Sequence, residues 1–466
     1  VEYFSAGGSW WLPGHEHESL PGTLTFDSAG ISLVVYGGSL FRSAVVASGG
    51  SGEQWSHWVE EAVVHGRLHE EDRRDVSLLG VAGLTVSSDL DVEQEDYRVE
   101  LALLGWHVDG NAFSEAKVDF DYLNAWLHPP PLWENAPNRI SVHTDDIELT
   151  SAPIESDRVR LVAGCSGNRR WSRTTGDVVR VERRSVFAID CADPSRWEDI
   201  VDSRIRPFHD LLMLSLDRPV RITGLRLRPV GTGQGTPQLC DAYLSVLQRP
   251  SASLHAIVGV NAPTLLRAND SPVDLAALLP RWYCLWRNFW EPVRLLLAPE
   301  YAPFMYTAHK FTSTYRSAEA LAKALFDSKQ IPRPDHNARV QAVINSAASA
   351  GIDTEVIEWA KAVLQSRNDK PQKQLIEELV KSTGEVGATI VQAAPEFVAR
   401  VARTRGRESH GGSTSETPDV VQLHWYGEVL RWIIRTRILS ELGIDDIESR
   451  VLKREPFRYA VDQVRE

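Results

Sequence analysis

The hydrophobic period of this chain changes once, and that change constrains the fold more than any other feature. Up to about Asp270 the apolar residues recur at every second position, the signature of half-buried strands. From about Ser271 they recur at the 3.6-residue period of an amphipathic helix. A segment written in one period does not settle as the other element. The chain is therefore expected to be an α+β multidomain protein. A β-rich region over residues 1–270, long enough for two subdomains, precedes an all-α bundle over 271–466. Its 466 residues fit the two to four domains expected at about 100–200 residues each.

Within the first region, Leu24 and Phe26 alternate with Thr23 and Thr25, and Asp27-Ser28-Ala29-Gly30 reads as a turn. Ile31, Leu33 and Val35 then resume the alternation, which predicts a hairpin. RVELALLGWHV, RVRLVAG, VVRVERRSVFAID and VRITGLRLRPV read as further strands. Pro129-Pro130-Pro131, just after His128, predicts a loop, and the span Trp197–Leu216 predicts the one helix of this region.

In the second region Trp282, Leu285, Trp286, Phe289 and Val293 form one apolar stripe, and Pro299 and Pro303 are expected to end that helix and begin the next. The next runs through Glu319 to about Phe326. Val356, Trp359, Ala360, Val363 and Leu364 fit a further helix with Asp353 or Thr354 as N-cap. Helices are also expected over Gln372–Lys381, from Pro395 as a first residue, and over Asp419–Leu442, stopped by Gly443. A loop, Gly411 to Thr417, separates the last two.

The net charge of -13 argues against a general nucleic-acid coat, so any RNA site must be a local basic patch. The four cysteines are scattered and form no CxxC pair, which reads as reduced and cytoplasmic. The opening run lacks the apolar segment of a signal peptide, and no stretch approaches the length of a membrane span.

Such a patch exists in Arg400, Arg403, Arg405 and Arg407. Arg405 and His410 are also spaced as an Arg-x4-His pair. Arg204…His209 and Arg249…His255 are spaced within the same Arg-x4-6-His window, about as many matches as chance gives for fourteen histidines. Context separates them. His209 precedes the apolar run DLLMLSL and reads as packed. His255 lies in a turn-rich stretch. Only His410 lies in the helical region. Residues five apart on an ideal helix stand about 140° apart, so the pair requires the chain to unwind between them. Gly406 and Gly411-Gly412 permit this. The alternative is a solvated basic helix end, with cations placed favourably on the helix dipole.

The opening GSWWLPGHEHESLPGTLTFDSAGISL, with its W-W-L-P and P-G-T-L-x-F-D elements, resembles the N-terminal domain of ApeA-like proteins. FTSTYRSAEALAKAL, VARTRGRESHGG and a last helix ending in LSELGI resemble the ApeA-like HEPN helical domain. The resemblance implies an HEPN endoribonuclease of anti-phage defence (abortive infection) that cleaves RNA such as tRNA and halts translation, without metal or cofactor. It also implies pairing of HEPN domains into a homodimer. By position, Arg405 and His410 match the family's motif Arg and His, and Glu319 matches an acidic residue on an earlier helix. Gly406 departs from the usual polar residue after the motif Arg. Arg403 fits the motif at the longer spacing.

In this reading His410 is the acid or base, Arg405 holds phosphate oxygens, and Glu319 orients one of them. Arg400, Arg403 and Arg407 bind RNA. A non-catalytic module that dimerises and binds RNA or a partner is the rival reading. The β-rich region is expected to sense a phage-derived trigger and to restrain the helical domain, through a contact near Trp282–Pro303. Three weaker constellations remain. His15-x-His17-Glu18 places two imidazoles on one strand face for a metal, or sits in a plain loop. Arg169, Arg170, Trp171 and Arg173 stack RNA, or form a solvated loop. Asp145 and Asp146 have no partner suggesting glycosidase chemistry.

Overall fold

The computed structural model describes residues 3–41, 63–69, 74–89, 92–129, 133–136, 139–142, 146–172, 176–230, 238–245, 264–268, 274–302, 304–410 and 419–465. The chain forms two compact units, Val1–Tyr283 and Cys284–Glu466.

The alternating segments of the first unit join into one sheet, in which fourteen strands are ordered among the described residues. Every pairing between neighbours is antiparallel. The expected hairpin is Leu20–Asp27 paired with Gly30–Tyr36, and its alternating residues Leu24, Phe26, Ile31, Leu33 and Val35 are all buried. Strand Phe4–Trp11 lies between this hairpin and strand Val63–Leu68.

Trp10 sits at that junction, opposite Leu20 on one side and Gly66 on the other, and is fully buried. Three glycines make the slot for its indole. A Cβ at Gly66 would stand 2.2 Å from the ring, one at Gly22 2.9 Å and one at Gly8 3.1 Å. Side chains at these positions would overpack the core. The W-W-L-P and P-G-T-L elements of the sequence thus meet in space as Trp10 and Gly22.

Helix Arg206–Leu216 packs on the other half of the sheet. Phe208 stacks on Phe187 of strand Gly176–Ser195, with ring centroids 4.1 Å apart. The single helix expected over Trp197–Leu216 is interrupted by a π turn, Val201–Ile205. His209 is packed as expected, at 3% exposure, and its Nε2 lies 2.6 Å from the Val220 carbonyl. Trp282 Nε1 donates to the Pro207 carbonyl and the Tyr283 hydroxyl to that of Arg204, so these two residues of helix Leu275–Asn288 belong to the first unit.

The second unit is helical. Helix Thr307–Leu325 is its centre and packs against Trp290–Tyr301, Gln372–Lys381, Phe397–His410 and Val420–Glu441. Three expectations need correction. The helix expected through Trp282 and Val293 breaks at Phe289, because Pro292 has no N–H for the carbonyl of Asn288 and fits only in the first turn of a new helix. Pro299 does not end that helix. It lies inside it, and the Leu295 carbonyl that it leaves without a backbone donor accepts from Ser313 Oγ at 2.8 Å. The helix expected from Pro395 begins at Phe397.

Asp353 caps helix Thr354–Ser366 as expected, accepting from the Glu355 amide. Of the stripe predicted for that helix, Trp359 is 67% and Val356 49% exposed, while Ala360, Val363 and Leu364 are half-buried. This helix forms a hairpin with helix Arg333–Ser349, which the sequence reading did not anticipate. Asp419 caps helix Val420–Glu441, and Gly443 follows its end at φ +86°.

Burial holds the His209 imidazole neutral, its pKa lowered to about 4. The unfolded chain takes up a proton near pH 6.5 that the folded one refuses, so stability present above about pH 6.5 is lost as the pH falls toward 4. The loss attributable to His209 is on the order of 3 kcal/mol. Urea unfolding at pH 7 and pH 4.5 should show a steeper loss for the wild type than for His209→Gln. Equal slopes would mean that the folded state protonates His209.

Candidate active site on the basic helix

Helix Phe397–His410 docks through Phe397, Val398, Val401 and Thr404, all buried. Phe397, Val401, Thr404 and Arg405 stand at i, i+4, i+7 and i+8, the stripe that faces a bundle. Arg405 is therefore turned inward and half-buried, where an exposed helix end had been expected. Its Cζ lies 5.9 Å from the ring centroid of Tyr315, which is fully buried on helix Thr307–Leu325. That is a cation–π distance. Arg405 Nε and the Tyr315 hydroxyl are both closed to solvent and have no hydrogen-bond partner.

Glu319 lies one turn beyond Tyr315 on the same helix. Its side chain is 13% exposed and accepts from Lys323 Nζ at 2.7 Å and Gln372 Nε2 at 3.2 Å. Glu319 was expected to orient Arg405 or His410; a hydrogen bond from Arg405 is not among these, and the His410 side chain lies outside the described residues. Glu319 and Arg405 instead act on Tyr315 from opposite directions. Burial pushes the phenol up to about 12, the Glu319 charge adds to this, and the Arg405 charge opposes it.

The other three arginines lie along another side of the helix, with Arg400 and Arg407 half-buried. Positions 400, 403 and 407 follow i, i+3, i+7 along one side of the helix. Arg403 is exposed, its Nε donating to the Ala399 carbonyl at 3.3 Å. The helix runs unbroken from Phe397 to His410, so the unwinding expected at Gly406 does not occur. A Cβ at Gly406 would meet nothing within 4 Å, and packing does not demand glycine there. On this continuous helix, positions 405 and 410 stand about 140° apart, whereas 403 and 410 are within about 20°. The backbone thus groups His410 with Arg400, Arg403 and Arg407, and sets Arg405 behind them. The His410 side chain and the loop from 411 to 417 lie outside the described residues.

Sequence reasoning missed Tyr315 and Gln372. A buried tyrosine reads as core, and the one available signal was its i, i+4 spacing to Glu319. Of the other candidates, Arg204 is paired with the buried Asp157 at 2.7 Å. Arg249, His255, Arg173 and Asp145 lie outside the described residues, as do the side chains of Arg169, Arg170 and Trp171. Asp146 is exposed.

A family model described as ApeA N-terminal domain 1 matches residues 5–282, and one described as Apea-like HEPN matches residues 312–448. The chain belongs to the ApeA-like family. No curated protein and no solved structure matches it. The ApeA-like HEPN match spans Tyr315, Glu319 and the whole basic helix. HEPN domains are typically ribonucleases that commonly dimerise and bind RNA, which places the helical unit coarsely in a nuclease or defence class. Among the described residues no helix is long and apolar enough to cross a membrane.

Tyr315→Phe removes a hydroxyl that is desolvated without a partner and keeps the ring beneath Arg405. By differential scanning calorimetry it should melt no lower than the wild type. Tyr315→Leu, which withdraws the ring, should melt several degrees lower. A clear loss with Tyr315→Phe would show that the hydroxyl has a partner in solution.

Proposed function

We propose that this ApeA-like chain is a metal-independent endoribonuclease of anti-phage defence, cleaving RNA such as tRNA to halt translation. The observation that carries this reading is the outer face of helix Phe397–His410. There Arg400, Arg403, Arg407 and position 410 share one side of an HEPN helix on a chain of net charge -13.

RNA supplies its own nucleophile. His410 takes the proton of the 2′-OH as that oxygen attacks the adjacent phosphorus. The bond from phosphorus to the 5′ oxygen breaks, and the departing oxygen is protonated. The products are a 2′,3′-cyclic phosphate and a 5′-hydroxyl. Guanidinium groups balance the charge of the phosphorane. Arg403 meets the phosphate from His410's own side, and Arg405, held over Tyr315, adds fixed positive charge from behind. One histidine cannot hold the incoming proton and supply the outgoing one in the same instant. A homodimer, with two basic helices facing across a two-fold axis, provides the second. Residues 5–282 serve as sensor for a phage-derived trigger, which must bind the active arrangement more tightly than the resting one.

The 140° between positions 405 and 410 favours one rival, a non-catalytic dimer that binds RNA or a partner. Purified full-length protein on labelled tRNA and mRNA in EDTA separates the two. Cleavage should persist and leave cyclic ends, and His410→Ala should abolish it. Arg403→Ala should lower the rate by at least tenfold with an unchanged melting temperature, while Arg405→Ala should lower both. Full activity in His410→Ala, or a divalent-ion requirement in the chemical step, would sink this mechanism.

Light scattering at micromolar concentration should give twice the mass of the chain. A monomeric mass with cleavage intact would contradict the paired site.

A further inference from the structure

We propose that His15, His17 and Glu18 hold one divalent transition-metal ion, zinc by the chemistry of their donors. This cluster lies in the first unit and has no part in the nuclease reading. The ligand atoms of the three residues all lie within 4.8 Å of one another. His15 Nδ1 stands 3.8 Å from Glu18 Oε2, and His17 Nε2 stands 3.6 Å from Glu18 Oε1. Tetrahedral zinc, with bonds of about 2.0–2.2 Å to nitrogen and oxygen, needs its donors about 3.3–3.5 Å apart. The two contacts reach different oxygens of Glu18, so rotation of this exposed carboxylate must bring one oxygen toward both imidazoles. The third closes by rotation of two imidazoles that are already stacked, their centroids 6.1 Å apart.

The backbone prepares this arrangement. The sequence reading placed the two histidines on one strand face. In the structure Glu16–Glu18 is a single 3-10 turn with His15 as its N-cap. The Leu12 carbonyl accepts from the His15 amide at 2.9 Å, and the His15 carbonyl accepts from the Glu18 amide at 2.9 Å. A 3-10 turn has three residues per turn, so residues i and i+3 eclipse. That brings His15 and Glu18 onto one side without any tertiary contact, and His17 reaches the same carboxylate from the adjacent position. Two imidazoles and one carboxylate are a donor set of catalytic zinc sites, in which water takes the fourth position. They are a poor set for magnesium or calcium, which take oxygen ligands. Glu16 is not part of the cluster: its carboxylate is 3.4 Å from Arg67 Nη1.

The test uses the full chain, stripped of metal by chelator and gel filtration. Zinc chloride is titrated into it by calorimetry in a non-coordinating buffer at pH 7.5. Cobalt(II) chloride is followed in parallel by visible absorption. We expect one site that His15→Ala and His17→Ala each weaken by at least tenfold, since loss of an outer partner alone costs 10–100-fold in known sites. His424→Ala, a change at an exposed histidine in the second unit, should leave it intact. Cobalt should give the intense visible band of four-coordination in the wild type and not in the histidine variants. All three side chains are exposed, so these variants fold. No binding below about 0.1 mM zinc would overturn the proposal, as would a site that persists unchanged in the double variant His15→Ala/His17→Ala.

Discussion

A helix turns its residues by about 100° each, and on helix Phe397–His410 that fixed angle decides what every basic residue can do. The docking stripe Phe397, Val401, Thr404 takes Arg405 with it into the bundle. The same rotation sets Arg400, Arg403 and Arg407 on another side of the helix along with position 410. One run of four arginines is thereby divided into an inner cation and an outer row. The inner one is held where water does not reach its Nε and where an aromatic face replaces part of its lost hydration. In the outer row Arg403 is exposed, and Arg400 and Arg407 are half-buried.

This division depends on helix Thr307–Leu325, which touches four other helices and supplies Tyr315 and Glu319 one turn apart. Glu319 is anchored sideways by Lys323 and Gln372, so its charge stays near Tyr315 and does not collapse onto Arg405. A direct ion pair would have neutralised the inner guanidinium.

Much of this was legible in the residues. Strict alternation in LTF and ISLVV predicted a hairpin with one buried face, and all five apolar residues are buried. The caps Asp353 and Asp419 fell where their side chains receive backbone amides. What escaped is what depends on tertiary contacts. The break at Phe289 was hidden because the apolar stripe continues across it, while Pro292 alone marks it. Helix Arg333–Ser349 buries little beyond Val340 and Ile344, so its apolar signal is faint. Trp359 was read as core because periodicity reports a face, not whether anything covers it. At the site, glycine was read as a sign of unwinding. Gly406 stays helical, because a helix with a packed stripe on its far side tolerates the roughly 1 kcal/mol that one glycine costs.

An unbroken helix narrows the ways in which the spacing of Arg and His can matter. Were the segment unwound, Arg405 and His410 could converge in one chain, and a monomer would hold a complete site. With the helix intact, positions 403 and 410 share one side of it, seven residues and two turns apart, or about 10 Å along the axis. Under the proposed mechanism a second copy would supply the second proton-transfer group.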